Sequence, residues 1–329
     1  MSLIFRKNIP TYGAALLLIL GLNFFIPRMM PGDPLSAIYG EEALVVMTPE
    51  LKAYLLRAFA LDRPLGEQFV AYLFQMLHGN LGFSYYYNAA TVEIILGRLP
   101  WTILLVGSAL ILSSGIGILL GIESGWRRGK VLDRSLLAGF MGLNGFPDFF
   151  LGAVLLLLFG VSLELFPLAG ALSPYAGLSG ISLLADVLWH LVLPVSALTL
   201  GHVAANYLLT RNTMITVLKH PFILSARAKG LDEKTIRYRH AGRNSLLPVV
   251  TRTGIWLGRL ITGTLFIEII FAYPGLGTLT HQALLARDYV VLQGILLLVA
   301  LLVLLVNLGI DLLYPRLDPR IQHAYSPVE

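Results

Sequence analysis

Residues 220–248 read HPFILSARAKGLDEKTIRYRHAGRNSLLP, a polar and basic stretch between long apolar runs. The chemistry on offer there is contact and force transfer, not bond breaking. Ala226, Ala228 and Gly230 are small, so another surface can come close to the backbone. Ionisable side chains in or near apolar runs form a second group: Glu164, Glu268, Asp311 and Arg259. Charge inside a bilayer is costly, so such residues are functional candidates. Glu164 and Asp311 fall near helix ends, which favours an interface position over a proton relay. Glu268 is deeper, and either pairs with Arg259 or lines a pathway. His190 and His202 share one apolar run about three turns apart, which is not metal-ligand spacing. With His78 and His281 they could still face a nickel complex, but no metal site is assigned. No catalytic residue is assigned either, because neither a Ser-His-Asp set nor a carboxylate pair is readable. The chain lacks G-x-x-x-x-G-K-[ST], the loop that cradles nucleotide phosphates.

These residues must be positioned by membrane helices. Of 329 residues, 56% are hydrophobic and 13% charged, where soluble domains carry roughly 25% charged. Mean hydropathy is +0.75. The 24 Lys and Arg exceed the 19 Asp and Glu, but they sit in loops between apolar runs. That is the pattern of cytoplasmic loops and argues against nucleic acid. There is no cysteine, so neither disulfides nor thiolate metal sites are expected. The first apolar run leads into Pro31-Gly32-Asp33-Pro34, not a small-residue cleavage site, and reads as a retained helix.

A bilayer helix needs roughly 20 apolar residues. On that rule six transmembrane helices are expected: Tyr12 to Met29, Trp101 to Ile122, Ser135 to Phe166 with a kink at Pro147, Leu188 to Leu209, Leu246 to Phe271, and Val290 to Tyr314. The expected fold is an all-α polytopic membrane protein, one membrane domain over 1–329. Basic residues concentrate in the loops around Arg127 to Arg134 and Arg211 to Arg243, with further ones at Arg6, Lys7, Arg316 and Arg320. The opposite side carries only Arg28, Lys52, Arg57, Arg63, Arg98 and Arg287. This bias puts both termini in the cytoplasm. Residues 30–99 then lie outside, with helices expected from Pro49 to Ala60, capped by Thr48, and from Leu65 to Leu77. Gly117–Gly121 and Gly254–Gly258 have the spacing of close helix packing.

The long inner loop, 210–245, folds in this reading as a helical hairpin. One helix runs from Phe222 to Lys229 and ends at Gly230, which can take the left-handed conformation. Asp232 caps a second helix through Arg243. Lys234, Arg237, His240 and Arg243 recur at every third residue as a basic stripe. Asn244 and Ser245 break that helix, and Pro248 opens the next span. Residues alone favour an ordinary positive-inside loop over a force-transmitting hairpin.

The segment resembles the coupling loop of ABC-importer permeases, in the dipeptide/oligopeptide/nickel branch. The general family pattern is E-A-A, three residues, then Gly, with a later Leu-Pro. Here Leu224-Ser225-Ala226 stands at E-A-A, Gly230 at Gly and Leu247-Pro248 at Leu-Pro. Leu224 departs from the acidic position. Ala226 to Leu231 and Arg243 to Val250 resemble the peptide branch more closely. So do Met30 to Pro34, Leu61 to Leu65, Gly79 to Gly82, Leu132-Asp133-Arg134, Glu268 to Gly277, Arg287-Asp288-Tyr289 and Leu317 to Arg320.

The resemblance implies a type I importer permease in a bacterial or archaeal cytoplasmic membrane. It implies that Phe222, Ser225, Ala226, Arg227, Ala228, Lys229, Gly230 and Leu231 couple to an ATPase, supported by Asp232, Arg243, Asn244 and Pro248. The implied partners are a second homologous permease, two cytoplasmic ATPases holding ATP and Mg, an extracytoplasmic substrate-binding protein and the lipid bilayer. No cofactor is expected on this chain itself. Peptides lead as substrate, with nickel or a metal complex also open. The alternatives are a proton-coupled secondary transporter, which would need an acid relay and usually an internal repeat, and an ABC-type exporter.

Overall fold

The computed structural model describes residues 2–28, 41–58, 64–84, 86–246, 249 and 264–317. Helix dominates. In chain order the helices are α1 (Ser2–Arg28), α2 (Glu41–Val46), α3 (Pro49–Ala58), α4 (Leu65–Leu77), α5 (Thr91–Trp126), α6 (Val131–Leu143), α7 (Asp148–Leu155) and α8 (Gly180–Val217). There follow α9 (Pro221–Ala228), α10 (Glu233–Thr235), α11 (Arg243–Ser245), α12 (Leu265–Ile270), α13 (Leu276–Leu285) and α14 (Tyr289–Leu317). Two π-helical segments are present, Leu156–Ser162 after α7 and Ile236–Gly242 between α10 and α11. The strands β1 (Phe83–Ser84) and β2 (Ala89–Ala90) pair antiparallel, Phe83 opposite Ala90.

Among the described residues α5, α8 and Tyr289–Gly309 of α14 are long and apolar enough to cross a bilayer. Backbone polar groups must close within the chain in lipid, which helices achieve. The expected third span is two helices, α6 and α7, bent by 96°. Pro147 sits at the N-cap of α7, and the residue before a proline avoids the helical region. The sequence placed the break correctly but read it as a kink. The fifth expected span falls mostly on residues outside those described, as do Arg259, Pro248, Gly254 and Gly258. The second span begins earlier than expected, with Pro100 inside α5 and not at its start.

The chain divides into two compact units. The first comprises residues 1–102 and 274–308. There α4 packs its aromatic face on α1: Phe24 is fully buried, with ring centroids 5.1 Å from Phe69 and 5.4 Å from Tyr72. Asn23 Nδ2 donates to the Tyr72 hydroxyl at 3.0 Å. Thr48 Oγ1 accepts from Leu51 N at 3.3 Å, the expected cap on α3. Asp288 is buried; its carboxylate caps α14 by accepting from Val291 N at 3.1 Å and also takes the Ser84 hydroxyl.

The second unit comprises residues 103–273 and 309–329. Its spine is α5 against α8. A Cβ on Gly117 would lie 2.7 Å from Asn206 Cβ, one on Gly121 2.6 Å from Thr210 Cβ, and one on Gly125 2.8 Å from Met214 Cβ. The Gly117–Gly121 spacing is therefore a packing stripe, and Gly125 extends it by a turn. The chain turns at Gly129 into α6, where Asp133 is 2% exposed. Its carboxylate accepts from Arg211 Nε at 2.6 Å, an Arg211 terminal nitrogen at 2.9 Å, Ser124 Oγ at 2.5 Å and Gly129 N at 2.8 Å. Tyr207 completes this clamp, its hydroxyl 2.7 Å from Ser124 Oγ. The clamp ties α5, α6 and α8 together beside the hairpin.

Candidate functional site

The hairpin starts where α8 ends. His220 is extended and Pro221 takes the first helical position of α9, where its missing N–H is not needed. At the far end Lys229 is the C-cap and Gly230 has φ +75°. Gly230 N donates to Arg227 O at 2.9 Å and Leu231 N to Ala226 O at 3.3 Å. These two bonds are the Schellman pattern, which needs a left-handed residue at Gly230. Nothing lies within 4 Å of a Cβ built there, so backbone conformation and not close approach calls for glycine.

Asp232 caps the return limb. Its carboxylate accepts from Thr235 N at 3.0 Å. Hydrogen bonds from the Thr235 side chain and backbone hold the Asp232 carboxyl below the usual range. The expected second helix is present as α10, the π segment and α11, and not as a regular α-helix. The π turn displaces the expected basic stripe: Lys234 and Arg243 stay exposed, while Arg237 turns inward.

Arg237 makes the second anchorage. It donates to Glu123 Oε1 at 2.8 Å and lies 5.0 Å over the Trp126 ring. Glu123 also accepts from the Tyr238 hydroxyl, a bond that raises the Tyr238 pKa above its ordinary value. Arg127 lies 3.2 Å from the same carboxylate, and Arg227 sits 5.8 Å from Trp126. The first anchorage is apolar: Ile223, Ala226, Ile236 and Ala241 bury against Ile122, Met214 and Val217. The small Ala226, 6% exposed, thus serves packing within the chain.

What remains outside is a continuous surface on α9 and the turn. Phe222 is 41%, Leu224 72% and Leu231 38% exposed, and Ser225, Arg227, Ala228, Lys229 and Gly230 are exposed with them. Asn244 is exposed and donates to His240 O at 2.6 Å. The expected contact residues therefore lie together on one protruding element, except Ala226, which faces in. Sequence reasoning missed Glu123, Trp126 and the Asp133–Arg211 clamp. The quoted Leu132-Asp133-Arg134 was the only signal, and nothing in it names Arg211.

The other candidates are dispersed. Glu268 is fully buried on α12, where Thr264 Oγ1 lies 3.4 Å from its Oε1. Glu164 is exposed with φ +51°. His190 Nδ1 lies 2.9 Å from Asp186 O, and His202 Nε2 lies 2.8 Å from Asp148 Oδ2. Among the described residues no group of three metal-ligating side chains converges.

Among the described residues, three long apolar helices and an exposed polar hairpin mark a multi-pass membrane protein. The family of binding-protein-dependent transport system inner membrane components matches residues 113–323, and the chain belongs to it, as an ABC-importer permease of the peptide branch. It is 35% identical to the dipeptide transport system permease protein DppB of Escherichia coli (strain K12) over 321 residues, 92% of this chain and 93% of that one. It is 34% identical to a di/tripeptide transport system permease protein of Pseudomonas aeruginosa, covering 96% of each chain. A putative peptide permease protein of Brucella suis is 36% identical over 92% of this chain and 93% of its own.

Proposed function

We propose that this chain is one membrane subunit of an ATP-driven peptide importer, and that α9 is the part an ATPase grips. The observation that carries the reading is the division of the hairpin into two faces. Ile223 and Ala226 fasten α9 to α5 and α8, while Phe222, Leu224, Ser225, Ala228 and Leu231 face out. A partner that seats on the outer face moves the inner face with it. The relatives' names favour peptides over nickel as the cargo. In this reading a second homologous permease completes the pathway, and two cytoplasmic ATPases bind ATP and Mg. An extracytoplasmic binding protein delivers the solute. Phosphate-cradling chemistry sits on the ATPases, consistent with the missing G-x-x-x-x-G-K-[ST]. The membrane is the bacterial or archaeal cytoplasmic one, with both termini inside and six spans.

Mild-detergent co-purification from the native membrane tests this. An ATPase and a second permease, identified by mass, are the expected companions. Purification of this chain alone or as a homo-oligomer, in every detergent tried, would contradict the reading.

A further inference from the structure

Two titratable residues set far inside apolar stretches of the second unit find each other. Between Arg134 and Glu164 the sequence holds one charged side chain, Asp148. Between Asp186 and Arg211 it holds no Asp, Glu, Lys or Arg, and two histidines, His190 and His202. His190 sits beside Asp186 at the helix end, 3.6 Å from its carboxylate. His202 sits nine residues inside Arg211, which at 1.5 Å per residue is about 14 Å along α8. That is about half of a 30 Å hydrocarbon core. Asp148 opens α7 at the 96° break, and its Oδ2 lies 2.8 Å from His202 Nε2.

This pair is built, not incidental. A Cβ at position 201 would lie 1.7 Å from Asp148 Oδ1, so Gly201 clears the space the carboxylate occupies. Both side chains remain partly open, His202 at 23% and Asp148 at 26%. Ionisable groups at such depth do not face hydrocarbon; they face protein or a water-filled cavity. Broken helices in transporters place their polar groups toward such cavities. The stretch after α7 also winds as a π-helix, a form frequent at functional positions.

We propose that Asp148 and His202 line the aqueous translocation route and form a polar subsite, in which the Asp148 carboxylate receives the ammonium of a passing peptide. Asp148 supplies the negative charge an ammonium needs, and His202 holds the carboxylate when the route is empty. The proposal rests on the importer reading, but the readout of its test is thiol labelling and does not depend on ATP hydrolysis.

The chain has no cysteine, so one introduced thiol is unique within it, and labelling is read on this chain after its separation from the partners. His202→Cys in the assembled transporter, in membrane vesicles, is treated with methanethiosulfonates carrying either an ammonium or a sulfonate, and with N-ethylmaleimide. Reaction with the charged reagents is expected, the ammonium reagent faster by about a hundredfold once each rate is scaled to that with a small thiol in solution, since a unit charge ~6 Å away speeds one and slows the other about tenfold each at an effective dielectric of about 40. Adding Asp148→Asn should erase that preference. Ala205→Cys, one turn along with the pair intact, serves if loss of His202 prevents folding; it should react with the charged reagents. Labelling by N-ethylmaleimide alone overturns the aqueous placement. Equal rates for the two charged reagents overturn the ammonium subsite. Failure to co-purify with an ATPase is a separate result that strikes the importer reading only.

Discussion

Arg237→Ala should loosen the hairpin without detaching it. Two main interactions vanish with the guanidinium, besides a longer approach of 5.8 Å to the Tyr238 ring. The ion pair with Glu123 spans 2.8 Å with side chains 18% and 20% exposed, between the surface and buried regimes, so about 1–1.5 kcal/mol is reasonable. The stacking over Trp126, at 5.0 Å, adds about 0.5–1 kcal/mol. The apolar anchorage is larger: Ile223 and Ile236, 2% and 0% exposed, contribute about 2–3 kcal/mol each. The hairpin therefore stays docked, but its local opening becomes about 2 kcal/mol easier, which is about 30-fold in population. Hydrogen exchange read by mass spectrometry on peptides covering 218–246 measures this. Exchange there should accelerate about 30-fold while peptides from α5 and α8 change little. ATPase binding should persist, with fewer peptides moved per ATP. Unchanged exchange in the hairpin would refute the two-anchor account.

Other expectations follow from the same geometry. Gly121→Leu forces a side chain against Thr210 Cβ, 2.6 Å from the position of a Cβ, and Tyr207 O, 2.9 Å away; overpacking should cost about 1–3 kcal/mol and lower the Tm in detergent. Arg211→Ala strands the buried Asp133 carboxylate and should cost about 3–5 kcal/mol, whereas Asp133→Asn with Arg211→Met should recover part of the lost Tm. Gly230→Ala meets no neighbour, yet its φ of +75° should cost about 1 kcal/mol, with Gly230→Asn milder, in the same exchange assay. The Asp232 carboxyl is held below its unfolded value by Thr235. Its capping contribution is thus full above the unfolded pKa of about 3.9 and is lost as pH falls through the lower folded value. Protection of the Thr235 and Ile236 amides, scaled to the intrinsic exchange rate at each pH, should fall on acidification below about pH 4 in the wild type and show no such step in Asp232→Ala.

Much of this architecture is local and so was legible. Thr48 and Asp232 announce helix starts because a side-chain oxygen two or three residues upstream of a free N–H is a short-range fact. Gly230 announces a helix end for an equally local reason. The Gly117–Gly121 spacing predicted a close helix contact, and the structure supplies its partners on α8. Pro147 marked the break, but the 96° angle depends on what α7 packs against, which no neighbouring residue encodes. The clamp was hidden because Asp133 and Arg211 meet across 78 positions, each looking like one more loop charge. Arg237 was misread for a related reason. A regular helix would have kept it in the stripe with Lys234 and His240, and the π turn at Ile236–Gly242 swings it onto Glu123. Asp148 drew no notice because a single acid beside a proline reads as a cap, and its partner lies on another span.

An ATPase seated on the outer face of α9 would touch one of two neighbouring residues and not the other. Adjacent positions test it: Leu224 is 72% exposed and Ile223 2%. A photo-crosslinking amino acid at each, in cells carrying the whole transporter, should join position 224 to an ATPase-sized partner. Position 223 should crosslink only within this chain. If position 224 yields no such adduct, or both positions yield it equally, α9 is not the gripped element and the coupling account fails.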